Sequence, residues 1–125
     1  DIEYHHDETI ATLHIRDGQL KQYNLEIDDS RDVIDMIMNI TIVEAAALFR
    51  EDSPGEFKIS LRSKGRAEVI SIAESFGGGG HRFASGAPTN GDYETIKSEV
   101  VELIHKQLLA NEKTNGNDDS RSNSN

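Results

Sequence analysis

The sequence runs to 125 residues, 35% of them hydrophobic, with a formal net charge of −10 and no cysteine. That length supports one domain with a single modest core. The acidic balance excludes a broad duplex-binding surface, which needs clustered Lys and Arg, but leaves room for a local site holding one or two phosphates. The missing cysteines exclude disulfides and thiolate-held metals and fit a reducing cytoplasm. No apolar run is long enough to span a bilayer as a helix, and no signal-peptide pattern is present. A start at Asp1 rather than Met reads as an excised domain or a processed product.

Residues 1–8 (DIEYHHDE) are polar and read as a linker or lead-in. His5, His6 and Asp7 have the letters of a metal site, but neighbours on an extended chain point to opposite faces. Thr9 to Arg16 alternates, with Ala11, Leu13 and Ile15 on one side and Thr12, His14 and Arg16 on the other, which predicts a half-buried strand. Asp17-Gly18 is a turn signal. Leu20 to Ile27 is ambiguous. Asp28-Asp29-Ser30 offers an N-cap to a short helix whose stripe is Val33, Ile34, Ile37 and Met38.

Ile40 to Arg50 carries two opposed signals. Its alanines and Leu48 favour helix, while Ile40 to Val43 favour strand. The turn residues Glu51 to Gly55 and the clear strand after them favour a buried strand here, paired as an antiparallel hairpin with a longer loop. In Phe57 to Ser63 (FKISLRS), Phe57, Ile59 and Leu61 face one way and Lys58, Ser60 and Arg62 the other. Ala67 to Phe76 is then an amphipathic helix that Gly77 ends.

Phe76 to Pro88 (FGGGGHRFASGAP) is the focus of the chain. Four consecutive glycines give up much backbone entropy, and in return the backbone can reach positive φ or touch a ligand directly. Successive N–H groups there would form an anion-binding nest. His81 to Ser85 is predicted as a helical turn, with Gly86 at its C′ position. A plain glycine spacer is the alternative, and His81, Arg82 and Phe83 are costly residues for a spacer. Asp92 caps the last helix, whose stripe is Tyr93, Ile96, Val100, Leu103, Ile104 and Leu108. Beyond Ala110 the composition turns to Asn, Ser, Asp and Gly, which predicts a disordered tail over residues 111–125.

The SLRS strand, the helix, GGGGH and the A-x-G-A segment together resemble the substrate-binding C-terminal domain of DHH-family phosphoesterases, over roughly Thr9 to Leu109. Within that family the pattern is most like the oligoribonucleases that degrade very short RNAs and dephosphorylate adenosine bisphosphate. The resemblance implies a single α/β (mixed α+β) domain at residues 9–110, a small mixed sheet flanked by helices, and it settles Ile42 to Arg50 as strand. It also implies a preceding DHH domain that holds two manganese ions and hydrolyses the bond. No catalytic residue, metal ligand or cofactor is expected in this chain.

By the same resemblance, Ser60, Arg62, Gly78, Gly79, Gly80 and His81 are substrate-binding residues. They would grip the terminal phosphate of a short oligonucleotide or nucleotide, with Arg62 and the amides of Gly79 to His81 converging on one space. The chemistry agrees, since Arg62 offers a planar fork suited to phosphate and His81 can donate in either charge state. A surface ion pair for Arg62 and a structural role for His81 are the plainer alternatives. Lys58, Arg66 and Arg82 are weaker candidates. A stand-alone nucleic-acid-binding module is the rival function, as are the equivalent domains of RecJ-type exonucleases and cyclic-dinucleotide phosphodiesterases.

Overall fold

The computed structural model describes residues 2–16, 33–40 and 42–118, with side chains through residue 111. The Asp17-Gly18 turn, Leu20 to Ile27, the Asp28 to Ser30 cap and the last residues of the tail lie outside the described residues. Six strands form one mixed sheet: β1 (Ile2–His5), β2 (Ile10–Ile15), β3 (Ala45–Ser53), β4 (Glu56–Ser63), β5 (Gly79–His81) and β6 (Ala84–Asn90). Their spatial order is β1-β2-β3-β4-β6-β5. Only β2 and β3 run parallel; every other pair is antiparallel. A helical segment spans residues 33–37, and two further helices follow, α1 (Val69–Ser75) and α2 (Tyr93–Asp118).

Each face of the sheet carries its own core. Ile10, Ala45, Ala47, Phe49, Phe57, Ile59 and Leu61 point to one face, where Val69, Ile72 and Ala73 of α1 and Ile96, Val100 and Ile104 of α2 cover them. Ala11, Leu13, Ile15, Ala46 and Leu48 point to the other, under Ile34, Ile37 and Val43. Among the described residues the second cover lies over β2 and β3. On the same side of β4 the described residues are the polar Lys58, Ser60 and Arg62.

This two-sided covering decides β3. Ala45, Ala46 and Ala47 are essentially fully buried, so their small side chains answer packing on both faces rather than helix propensity. The strand begins at Ala45, later than its β-branched lead suggested, and extends through Ser53. Its turn to β4 is shorter than expected: Pro54-Gly55 alone separates the strands, with Gly55 at φ 78°. The Glu51 carboxylate accepts the Gly55 N–H at 3.1 Å.

Two boundaries need correction. Residues 2–5 are not a free lead-in but an edge strand, registered Ile2 to Leu13 and His5 to Ile10. That pairing also buries the polar side of β2: Thr12 is 1% exposed and shares a 2.9 Å hydrogen bond with His5 Nε2. At the other end α2 continues past Ala110 to Asp118. The Asn111 amide donates to the Arg66 carbonyl, so ordered structure extends beyond the expected limit.

Candidate functional site

The glycine stretch begins as a helix terminus. Gly77 takes the left-handed conformation at φ 87°, its N–H donates to Glu74 O at 3.0 Å, and Gly78 N–H donates to Ala73 O at 2.8 Å. These are the paired 5→2 and 6→1 bonds of a Schellman cap. Gly78 therefore gives a ligand no amide. The chain then turns into a hairpin, not the expected helical turn: β5 pairs with β6 as Gly79–Gly86, Gly80–Ser85 and His81–Ala84, around Arg82-Phe83. Ser85 Oγ donates to the Val69 carbonyl at 2.9 Å, pinning the hairpin to α1.

Hydrogen-bond alternation settles where the remaining amides point. Ser63 N–H donates to Phe83 O at 3.0 Å, so Phe83 and Ser85 face β4, and Ala84 and Gly86 face β5. Gly79 and His81 are then bonded within the hairpin, and Gly80 turns its N–H and C=O off the sheet edge. Three amides do not converge in a nest. The glycines serve close approach instead. A Cβ on Gly78 would lie 2.1 Å from Gly86 O, one on Gly80 2.7 Å from Ser85 Cα, and one on Gly86 2.9 Å from Ile59 O. Gly79 differs, because a Cβ there would meet nothing within 4 Å.

Register places the expected recognition residues on one face. Arg62 pairs with Ala84, and Ala84 with His81; Ser60 pairs with Gly86, and Gly86 with Gly79. Directly paired residues share a face, so Arg62 and Ser60 stand on one side of a floor made of Gly79, Gly86 and Ala84, with His81 across it. Two interstrand spacings, about 10 Å, separate the backbones of Arg62 and His81. This floor is shallow and lacks side chains larger than methyl, which suits the flat approach of a sugar–phosphate. The sequence reading missed Gly86 as part of it, having assigned that residue to a helix end. It also rated Lys58 low, yet Lys58 shares the face and its Cε lies 3.6 Å from where a Gly86 Cβ would sit.

Arg62 is partly engaged. Its Nη1 donates to the Leu61 carbonyl at 2.9 Å, and its Nε lies 3.4 Å from Asp35 Oδ1 on the helical segment. The neighbouring Ser63 is structural: its hydroxyl accepts the N–H groups of Gly65 and Ala67. Arg82 is directed away, to Glu68 at 3.0 Å and over the Phe83 ring. Arg66 donates to the Leu108 carbonyl.

Clefts also lie elsewhere. One of about 660 Å³ opens between the β1–β2 turn and α2, lined by His6, Asp7, Arg66, His105 and Leu108 among others. His6 stacks on His105 at 3.5 Å, and His6, Asp7 and Glu8 all take positive φ. Nearby, Lys97 is buried between Glu3 at 2.5 Å and Glu94 at 3.0 Å. The Lys97 hydrogen bond holds the Glu3 carboxyl below its usual range. Burial pushes the Tyr93 hydroxyl up to about 12 and lowers His5 and His14. These contacts clamp β1 and β2 to α2. No group of three or more His, Asp or Glu among the described residues is placed to hold a metal ion.

Comparison with known proteins agrees with this architecture. The family model of the DHHA1 domain matches residues 9–108. A probable bifunctional oligoribonuclease and PAP phosphatase NrnA of Streptococcus mutans is 31% identical over 90 residues, 72% of this chain and 28% of the relative. The bifunctional oligoribonuclease and PAP phosphatase NrnA of Thermus thermophilus is 27% identical over 108 residues, 86% of this chain and 32% of the relative. Among solved structures, an exopolyphosphatase-related protein of Bacteroides fragilis superposes with a TM-score of 0.66 at 24% identity, over 88% of this chain and 31% of that one. A pGpG-specific phosphodiesterase of Vibrio shares the fold at 9% identity and a TM-score of 0.57, over 86% of this chain and 35% of that one. The chain thus spans about a third of the length of the relatives it matches. With the matched span covering β2 to β6, α1, the glycine hairpin and most of α2, the chain belongs to the DHHA1 domain family.

Proposed function

We propose that this chain is the nucleotide-gripping part of a manganese-dependent phosphodiesterase that acts on short oligonucleotides or a nucleoside bisphosphate. The observation that carries the reading is the shared face: Arg62 and Ser60 stand opposite His81 across a floor of Gly79, Gly86 and Ala84. Arg62 supplies a charge-assisted fork for a terminal phosphate. Ser60 and His81 add further hydrogen-bond donors, Gly80 presents an outward amide, and Gly78 lets the chain entering β5 lie close to β6. The relatives named above act as oligoribonucleases and PAP phosphatases, which supports a nucleotide ligand.

Hydrolysis needs metal ions to activate water and stabilise the leaving oxygen. The described residues do not fit them, so in this reading the manganese ions and the cutting belong to a DHH domain elsewhere in the parent protein. A few charge-assisted bonds, offset by the entropy of association, predict weak binding, on the order of 0.1–1 mM. The test is an amide-resonance titration of the 125-residue chain with a short oligoribonucleotide bearing a terminal phosphate. Shifts are expected at Arg62 and at Gly79 to His81, lost in Arg62→Ala and in His81→Ala, with no cleavage when manganese is added. Unchanged binding in Arg62→Ala would overturn the assignment, and turnover by the chain alone would show an overlooked metal site.

A further inference from the structure

A carboxylate stands beside the proposed phosphate fork. Asp35 Oδ1 lies 3.4 Å from Arg62 Nε, longer than a good N–H···O bond, and the Asp35 side chain is 63% exposed. An exposed pair without a directed bond adds little to holding the arginine in place. The Leu61 carbonyl, which accepts from Nη1 at 2.9 Å, already fixes the guanidinium on its other side. What Asp35 does contribute is a charge near the fork. Its neighbours Ile34 and Ile37 are buried in the core beneath the helical segment, which anchors the backbone of Asp35 beside Arg62.

A phosphate that binds the Nε edge of Arg62 must displace Asp35 or sit next to it. Displacement is the same obstacle for every anion, but repulsion grows with the ligand's charge. Coulomb energy is proportional to the product of the charges, so a doubly charged phosphate monoester is opposed about twice as strongly as a singly charged diester. We propose that Asp35 is a charge-selective brake on the anion site, sharing Arg62 with the incoming phosphate and disfavouring a doubly charged phosphate more than a singly charged one. This inference rests on the reading of Arg62 as the phosphate fork. It makes the site one that binds a terminal monoester weakly and releases it readily.

The test compares adenosine 5′-monophosphate at pH 8, a dianion, with its 5′-O-methyl ester, a monoanion. Binding is measured for the wild-type chain and for Asp35→Asn, Asp35→Glu, Arg62→Ala and the Asp35→Asn/Arg62→Ala double variant. Asp35→Asn is expected to tighten the monophosphate about 5-fold and the methyl ester about 2-fold. Asp35→Glu keeps the charge and is expected to bind within about 2-fold of wild type. The gain should shrink in 0.5 M salt, where screening extends over only a few ångströms. In the Arg62→Ala background, where binding is expected to be lost, the substitution should not restore it for either ligand. Weaker binding in Asp35→Asn would make Asp35 a support of the arginine and overturn the proposal, as would equal tightening of both ligands. If Arg62→Ala abolishes binding while Asp35→Asn changes nothing, only the brake falls. If Arg62→Ala leaves binding intact, the phosphate-fork reading falls with it.

Discussion

At the scale of single residues, the four glycines that read as one motif divide by task. Gly77 needs a left-handed φ to close the cap on α1, and Gly78 must let the carbonyl of Gly86 pass where a Cβ would stand. Gly78→Ala forces backbone against backbone, and overpacking of that kind costs about 3 kcal/mol or more. A large fall in melting temperature is expected, whatever its effect on ligand. Gly79→Ala is the opposite case, since its added methyl enters open space on the face of the proposed floor. Its melting temperature should stay within about 2 °C of wild type, given a stability change below 0.5 kcal/mol, while nucleotide binding weakens several-fold. Equal binding by Gly79→Ala and wild type would remove Gly79 from the floor.

At the scale of elements, β1 shows how an edge strand is held by electrostatics as much as by its ladder. Glu3 meets Lys97 across to α2 and His5 meets Thr12, while on the neighbouring β2 His14 stacks on Tyr93 at 3.8 Å. Burial lowers both His5 and His14 from the ordinary value of 6.5. Below pH 6.5 the unfolded chain takes up protons that the folded chain refuses, so stability falls as pH drops through that window. Glu3 is lowered from 4.5, so its contribution is present above 4.5 and is lost as pH falls below that value. The melting temperature is expected to decline between pH 7 and pH 5, and less so in His14→Phe, which keeps a ring against Tyr93. An identical decline in the variant would show that His14 is not one of the titrating groups. Several bonds tie α2 to the segment around α1, and Asn111→Ala, which loses the Arg66 carbonyl contact, should cost about 1 kcal/mol. Removing residues 119–125 should leave the melting curve unchanged.

For the whole molecule, the two faces of the sheet differ in cover among the described residues. α1 and α2 close one side from β2 to β6, while the helical segment packs on the other over β2 and β3. The proposed floor lies on that second side, with Lys58, Ser60 and Arg62 on β4 and the glycine hairpin beyond. A small ligand would meet few charges there, which is how the proposed site reconciles phosphate binding with a net charge of −10. Because few phosphates are engaged, the binding constant should fall with salt on a shallow slope, about one unit or less. A steep slope would point to an extended nucleic-acid surface, the rival function.

The sequence by itself determined the elements with clean period. β2, β4, α1 and α2 follow from alternation, from helical stripes and from Asp92, which caps α2 with a 3.1 Å bond to Thr95 N–H. It also determined which side of β4 carries Arg62, because a period of two leaves no choice. Tertiary structure decided the rest. Only the pairing partner β2 made residues 2–5 a strand, since a four-residue polar segment has no reason to extend alone. Only covering from both faces made an alanine run a strand. The cap on α1 was legible in Gly77, but the hairpin after it was not: β5 turns back on β6 around Arg82-Phe83, a pair that carries no turn signal. Placing His81 across from Arg62, with Asp35 beside the fork, required strands and a helical segment far apart in sequence to meet, and no spacing within one element encodes that.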